Sequence, residues 1–314
     1  MSDRKPSEWS LLSVEHETLY QYAHPVDQAH HLACLRPLHD AAQAVRHFDL
    51  TVQPAPLQIH HRLDAHGNSR AYFSLHSAHR ELRVTAHSEV WVADRYRGLD
   101  PSQGATCDEV RDALVYRAHV PYQPAGEFVY PSPYVPKLEP LIEYAAPSLQ
   151  GKRPLAEAVI ELMQRIHADF EYAPASTDIS TPVLDVFIEK KGVCQDFAHL
   201  MLACLRASGL AARYVSGYLL TRPPEGQAPM VGADASHAWV SVWVPGLGQE
   251  LAGDWLDLDP TNACVPSTQH VRVAQGRDFG DVTPLRGVIR GGGEHTLVVR
   301  VTTRQLESSR ITQA

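Results

Sequence analysis

No block of lysine and arginine interrupts this sequence of 314 residues, and its formal net charge is −8. An acidic chain without a basic patch is a poor match for the phosphates of nucleic acids or for anionic lipids. No stretch approaches the roughly 18 apolar residues of a membrane-spanning helix, and the start, MSDRKPSEWSLLSVEHE, has no secretory apolar run. We therefore expect no nucleic acid partner, no membrane and a location in the cytoplasm.

Cysteine is scarce and scattered, at positions 34, 107, 194, 204 and 264, with no CxxC pair. An odd number of widely spaced cysteines argues against a disulfide framework or a cysteine zinc site. Histidine is more frequent, but no HExxH pair occurs among the 18 histidines, many of which lie in the first 100 residues. We interpret most of these early histidines as polar residues on the solvent faces of strands. We predict neither a metal nor another cofactor.

The first part of the chain alternates apolar and polar residues with a period of two, for example in VEHETLYQY (14–22) and in residues 82–92. Such alternation is typical of half-buried strands. We predict an antiparallel β domain over residues 1–95. Residues 96–150 are irregular and rich in proline, and we predict a connector with short helices at 108–116 and 138–145.

The pattern changes after residue 150. Apolar residues recur at helical spacing over 155–166, and a further helix is predicted to begin at Cys194 and to stop at Gly209. Four strands are then predicted, in ARYVSGYLL, HAWVSVWV, GDWLDLD and the tail HTLVVRVTT. The predicted fold class is α+β, with a third segment, residues 151–314, that includes this last strand.

Cys194 differs from the other cysteines because it follows a glycine and opens a predicted helix. Cys204 lies between Ala203 and Leu205, as expected for a small buried hydrophobe. The unpaired N–H groups at a helix start favour a thiolate over a thiol, so Cys194 is the candidate nucleophile.

A histidine and a carboxylate on neighbouring strands could activate this cysteine. His237 opens HAWVSVWV, and Asp259 ends the strand in LDLDPTN, with Asp257 as a rival on the same face. A thiolate attacks a carbonyl carbon, an imidazole moves the proton, and a carboxylate fixes the imidazole tautomer. By spacing alone, a structural cysteine with an exposed histidine remains the alternative.

Four motifs strengthen this hypothesis by resemblance: GVCQDFAHL, LRASGLAARYVSGYL, DASHAWVSVWVPGLG and WLDLDPTN. Together, over about residues 155–265, they resemble the transglutaminase-like superfamily, which implies a papain-like core whose nucleophile opens a helix packed on an antiparallel sheet. The resemblance implies Cys194 as nucleophile, His237 as base and Asp259 as orienting acid. The segments EHETLYQYAHPV and HVRVAQGRDFGDVTPLRG resemble the bacterial branch, with its β-rich N-terminal region.

Other site residues are less strongly indicated. An oxyanion could be bound by the backbone N–H of Cys194, or by Tyr172, because family members often use an aromatic residue upstream of the nucleophile. Asp234 is a further candidate for the cleft, and for Asp196 we favour a helix cap or a surface charge. The glycines of RGGGEH (290–295) do not have the lysine and spacing of a phosphate-binding loop.

The resemblance therefore implies a bacterial cysteine enzyme that acts on amide bonds of peptides or proteins through a thioester intermediate. We expect hydrolysis by a peptidase or amidase, with an amine-accepting transglutaminase as the alternative. A second alternative is a binding module in which the β domain is the functional part.

Overall fold

Antiparallel sheets and a group of helices form the structure, in agreement with the predicted α+β class. The computed structural model describes residues 9–174, 177, 179–220 and 236–306. Among these residues, one sheet has seven strands, a second has four, and a third is a parallel pair. None of the described helices is long and apolar enough to cross a membrane.

The large sheet is built along one 25-residue strand, β1 (Trp9–Ala33). Its alternation is confirmed, because Val14, His16 and Thr18 are buried whereas the glutamates between them are not. This period arises because successive side chains of a strand point to opposite faces. The strand order is β2-β5-β1-β4-β3, with β2 (Gln43–Gln53), β3 (Ile59–Leu63), β4 (Ser69–Leu75) and β5 (His79–Ala93).

The proline-rich segment contains the two short helices that the sequence predicts, α1 (Cys107–Leu114) and α2 (Glu139–Ala145), and a 3-10 turn at Pro124–Val129. A capping box begins α1: the Thr106 hydroxyl accepts from the backbone N–H of Glu109, whose carboxylate accepts from the N–H of Thr106. Residues of this segment are buried in the main core, so it packs as part of the fold.

A central helix organises the second half of the chain. It is α5 (Cys194–Ala207), which is buried at every position from Asp196 to Arg206. A helix that is buried all round needs partners on several sides. The flanking elements are α3 (Leu155–Asp169), β6 (Glu171–Tyr172), α4 (Val183–Glu189) and β7 (Lys191–Gly192), with β6 and β7 parallel.

The four-stranded sheet packs against α5 and has the order β10-β9-β8-β11. Close approach between its strands requires a glycine, because a Cβ at Gly217 would lie 2.1 Å from the carbonyl oxygen of Val271 and 2.4 Å from the Trp239 ring. Because Gly217 has no side chain, the indole of Trp239 can lie directly against the backbone of β8. The strands are β8 (Ala212–Leu219), β9 (His237–Trp243), β10 (Trp255–Leu258) and β11 (His270–Gly276), and a short helix, α6 (Phe279–Val282), follows.

The predicted division of the chain placed the C-terminal strand in the segment 151–314. In the structure, the C-terminal strands belong to the large sheet instead. Strands β12 (Leu285–Gly291) and β13 (His295–Leu306) pair with β1 and complete the large sheet. The alternation of the tail predicts a strand but does not specify its partner. The glycines of the RGGGEH motif have φ values of 94°, 85° and 64° at the join between the two strands, a conformation that glycine tolerates best.

Most early histidines are exposed or half-buried, as expected, but His16, His31 and His79 are buried. Nδ1 of His16 lies 3.0 Å from the Tyr218 hydroxyl of β8, and Nε2 lies 3.1 Å from the Thr18 hydroxyl. Burial lowers the pKa of His16 to about 4, so the ring is neutral at pH 7. His31 is also buried and stacks on Phe73.

Buried charges join the two large sheets. The carboxylate of Asp257, 1% exposed, accepts a hydrogen bond from the Trp239 indole at 3.1 Å and lies 3.6 Å from Nε of Arg272. Arg272 also approaches Asp40 at 3.6 Å, and Asp40 pairs with Arg95 at 3.0 Å. Burial raises the pKa of Asp257, but Arg272 and Arg95 outweigh it and hold the pKa below its usual range.

We expect Asp257→Ala to lower the free energy of unfolding by about 3–5 kcal/mol, because it leaves buried guanidinium groups uncompensated. The difference from wild type should be present at neutral pH and shrink below about pH 4, where the unfolded carboxyl gains its proton. Urea unfolding across pH measures it. The control is Asp112→Ala, whose side chain is 78% exposed. A loss at position 257 as small as the control's would contradict the structural role.

Candidate active site

The predicted nucleophile lies at the first residue of α5, directly after β7. Lys190 adopts a left-handed conformation (φ 57°), and Val193 is extended, so the chain turns sharply into the helix. Cys194 is partly buried and packs against the edge of the core. The helix start that the sequence predicts is confirmed, and the sulfur lies where the helix dipole favours negative charge.

A carboxylate fixes the turn that leads into α5. Oδ2 of Asp196 accepts hydrogen bonds from the backbone N–H of Val193 at 2.8 Å and from the Thr177 hydroxyl at 2.6 Å. The absence of a side chain at Gly192 leaves room for this carboxylate, since a Cβ there would lie 2.8 Å from it. Asp196 is therefore a helix cap, the interpretation favoured from the sequence.

The other four cysteines are also free thiols, and three of them, Cys34, Cys107 and Cys204, are buried. Burial raises the pKa of Cys34 and of Cys264 to about 11 and that of Cys204 to about 12, and it also raises the pKa of Cys107. These four thiols stay protonated at neutral pH and are poor nucleophiles. Cys194 remains the candidate nucleophile.

The histidine and the carboxylate meet at the end of the four-stranded sheet. Nε2 of His237, the first residue of β9, lies 2.7 Å from Oδ2 of Asp259, and the same imidazole is close enough to Cys194 for the sulfur to raise the pKa of the ring. The sulfur of Cys194 lies 3.9 Å from the carbonyl oxygen of Ser236. The structure thus brings together the three residues that the sequence predicts as a triad.

Charge at this site favours an imidazolium. Burial disfavours the charged ring, but hydrogen bonds to Asp259 and Cys194, together with their charges, raise the pKa of His237 to about 10. Burial likewise raises the pKa of Asp259, but hydrogen bonds from His237, His270 and Asn262 outweigh it and hold the pKa well below its usual range. An ionised carboxylate and a charged imidazole beside a cysteine form the electrostatic setting of an activated thiol.

Asp257, the rival carboxylate, does not share this arrangement. Its Oδ2 accepts from the indole of Trp239, and its backbone N–H donates to the Tyr96 hydroxyl at 2.7 Å. The guanidinium of Arg272 lies on its other side. Although two residues apart on one strand face, Asp257 and Asp259 therefore have different partners.

Two contacts of Asp259 were not predicted. Nε2 of His270 lies 3.1 Å from Oδ2, and the side-chain amide of Asn262 donates to the same oxygen at 2.7 Å. The backbone N–H groups of Thr261 and Asn262 donate to Oδ1 at 3.0 and 3.2 Å. Both motifs, LDPTN and HVRVAQG, are visible in the sequence, but only folding brings His270 of β11 to the end of β10.

The same atoms offer a possible metal site, because nitrogen and oxygen atoms of His237, Asp259 and His270 lie within 4.8 Å of one another. Two imidazoles and a carboxylate are a common ligand set for transition metals. However, the amide nitrogen of Asn262 lies 2.7 Å from Oδ2 of Asp259 and 3.3 Å from Nε2 of His237. A hydrogen-bond donor thus occupies the space between the ligand atoms, which fits a proton network better than a metal.

Tyr172 lies near the nucleophile, since β6 places it opposite Gly192. Its ring is 51% exposed. Burial and the charge of Cys194 raise its pKa, so the phenol keeps its proton at neutral pH and can donate a hydrogen bond. Its oxyanion role remains a prediction, and Asp234, the other cleft candidate, lies outside the described residues.

Comparison with known proteins extends over both parts of the chain. The family described as "Bacterial transglutaminase-like N-terminal region" matches residues 12–91, and the "Transglutaminase-like superfamily" matches residues 142–260. An uncharacterized protein of Mycobacterium tuberculosis (strain H37Rv) is 41% identical over 285 residues, which cover 91% of this chain and 89% of the relative.

More distant similarities agree with the fold. A protein-glutamine gamma-glutamyltransferase of Pseudomonas aeruginosa is 34% identical over 122 residues, which cover 38% of this chain but 17% of that enzyme. The crystal structure of a candidate cysteine protease of Cytophaga hutchinsonii has a TM-score of 0.70 at 20% identity, and covers 96% of this chain and 92% of that one. The chain belongs to the transglutaminase-like superfamily and carries the bacterial transglutaminase-like N-terminal region.

Proposed function

We propose that this protein is a cysteine enzyme that cleaves amide bonds of peptides or proteins through a thioester acyl-enzyme. The observation that carries the proposal is the contact of His237 with both Cys194 and Asp259, with Nε2 2.7 Å from Oδ2. Because Nε2 faces the carboxylate, Nδ1 is the nitrogen left to exchange a proton with the sulfur. The five free thiols support the predicted cytoplasmic location.

In the first half of the reaction, the sulfur of Cys194 attacks the amide carbonyl carbon and forms a C–S bond. The tetrahedral oxyanion is stabilised by donors at the start of α5, for which the N–H of Cys194 and the Tyr172 hydroxyl are the candidates. The C–N bond then breaks, and the leaving amine takes the proton of the His237 imidazolium. In the second half, His237 accepts a proton from water, the water oxygen attacks the thioester carbon, and the C–S bond breaks.

Water is the proposed acceptor, so that the enzyme is a peptidase or amidase. The Cytophaga hutchinsonii structure, described as a candidate cysteine protease, supports hydrolysis. An amine acceptor is the alternative, and the similarity to the Pseudomonas aeruginosa glutamyltransferase supports it. Both share the acyl-enzyme and differ in the nucleophile that resolves it.

The acyl-enzyme is tested by mass spectrometry after incubation with a peptide pool in ¹⁸O-labelled water, with and without a fluorescent primary amine. We expect an acyl adduct on Cys194 and products with one ¹⁸O atom at a new carboxyl group. Cys194→Ala should abolish both, whereas Cys204→Ala should retain them. Incorporation of the amine in preference to ¹⁸O would assign transfer instead of hydrolysis, and equal activity in the two mutants would exclude Cys194.

A pH series of alkylation tests the thiol and its partner without a substrate. We expect iodoacetamide to modify Cys194 rapidly near pH 6, because a charged His237 beside the sulfur stabilises the thiolate and the pair titrates together. His237→Ala should move the midpoint upward, towards about 8.5, the value of a free cysteine. The buried Cys204 is the internal control. Modification of Cys194 only above about pH 8, unchanged in His237→Ala, would exclude the pair.

Asp259→Asn should lower kcat/KM by orders of magnitude, up to about 10⁴-fold, because an amide favours the wrong histidine tautomer. At this position the –NH₂ group would also face an N–H donor, since both carboxylate oxygens are surrounded by donors. Asp257→Asn should reduce the rate per folded molecule much less. The comparison is peptide turnover corrected for the folded fraction, and the reverse ranking would move the role to Asp257.

A further inference from the structure

His270 is a buried imidazole on the carboxylate of the proposed triad that the two-step reaction above does not use. It opens β11 and is 6% exposed. Its Nε2 lies 3.1 Å from Oδ2 of Asp259, the oxygen that Nε2 of His237 approaches at 2.7 Å. Two imidazoles therefore share one carboxylate oxygen.

The hydrogen bonds of the two imidazole rings, His237 and His270, distinguish their roles. An ionised carboxylate only accepts, so each Nε2 must carry a proton. Nδ1 of His270 is buried and has no hydrogen-bond partner among the described residues. A proton there would be a buried donor without an acceptor. His270 thus acts on Asp259 as a hydrogen-bond donor through Nε2, whereas His237 is the ring that lies between Asp259 and Cys194.

Few other charges face these rings in the described part of the chain. The Trp239 ring on β9 contacts His270 edge to face, with centroids 5.4 Å apart, and neighbouring Gly217 of β8 has no side chain. Arg272, two residues along β11, turns its Nε towards Asp257 at 3.6 Å. From α5, Cys194 faces His237. The two imidazoles also approach each other, with ring centroids 6.2 Å apart, but the hydrogen bonds that join them pass through Asp259.

We propose that His270 is a positioning residue that acts on His237 through Asp259, by taking a share of the negative charge on Oδ2. The proposal rests on the function proposed above. Asp259 stays fixed without His270, because Thr261 and Asn262 donate to it from the other side. Loss of His270 therefore leaves the carboxylate in place with one donor fewer, and its attraction for the His237 imidazolium becomes stronger.

A stronger carboxylate has a measurable consequence. The His237 ring should keep its proton to higher pH, so the thiolate–imidazolium pair should persist to higher pH and the titration midpoint of the His237 ring should rise. Because one hydrogen bond to a charged group is removed, the expected shift is about 0.5–1 pH unit. In catalysis, the same change makes the imidazolium a poorer acid towards the leaving amine.

The test is an NMR titration of the His237 ring across pH in full-length wild type, His270→Leu, His270→Asn and His270→Gln, with the His237 resonance assigned by its loss in His237→Ala. Leucine removes the donor, and the shorter asparagine withdraws it from Oδ2. Glutamine places an N–H near the position of Nε2. We expect the midpoint of the His237 ring to rise in the first two variants and to stay within about 0.2 pH unit of wild type in His270→Gln, well inside the shift expected for one lost hydrogen bond.

The matched control is His199→Leu, which also removes a buried imidazole. His199 lies on α5, stacks on Tyr134 and accepts from the N–H of Phe279 at 3.2 Å. Its loss should lower the melting temperature and leave the midpoint unchanged. If His270→Leu does not fold, the asparagine and glutamine variants decide the outcome.

An unmoved or lower midpoint of the His237 ring in folded His270→Leu or His270→Asn would overturn the role of His270. An equal rise in His199→Leu would also overturn it, because general loosening would then explain the effect. These outcomes differ from failure of the proposed function, in which wild-type Cys194 itself reacts like a free thiol.

Discussion

The carboxylate of Asp259 is the group on which the site depends. It has no exposed surface, and its two oxygens accept hydrogen bonds from His237, His270, Thr261 and from both the backbone and the side chain of Asn262. A buried carboxylate is tolerated when donors satisfy it in this way. Because it stays ionised, it can hold His237 in one tautomer and support a charged ring beside Cys194.

Burial also decides which of several similar residues can do chemistry. Cys204 lies on the same helix as Cys194, but its thiol is enclosed and its pKa rises to about 12. Asp257 lies two residues before Asp259, but its carboxylate compensates buried arginines. The members of each pair are of the same residue type and lie close together in the chain, and the difference between them comes from the groups that surround them.

The N-terminal sheet is joined to the proposed catalytic part by more than a connector. The His16–Tyr218 contact and the Asp40–Arg272–Asp257 series cross between the two large sheets. The C-terminal strands return to pair with β1, so both ends of the described chain lie in the same sheet. Strands β10 and β11, which bring Asp259 and His270 together, therefore also contact the N-terminal part of the chain.

The sequence determined the elements and the candidate triad. Alternation of apolar residues predicted the early strands and the strand of the tail, and the glycine before Cys194 predicted the start of α5. The four family motifs indicated Cys194, His237 and Asp259. These signals are local, because side-chain periodicity and helix capping depend on residues only a few positions apart.

Tertiary structure decided which distant residues meet. The pairing of residues 285–306 with β1 depends on a register that the alternation of the tail does not encode. Burial of His16 and His31 depends on which face of the large sheet is covered. His270 comes within 3.1 Å of Asp259 because β10 and β11 belong to the same four-stranded sheet. Such contacts join residues far apart in the chain, and local patterns carry no information about them.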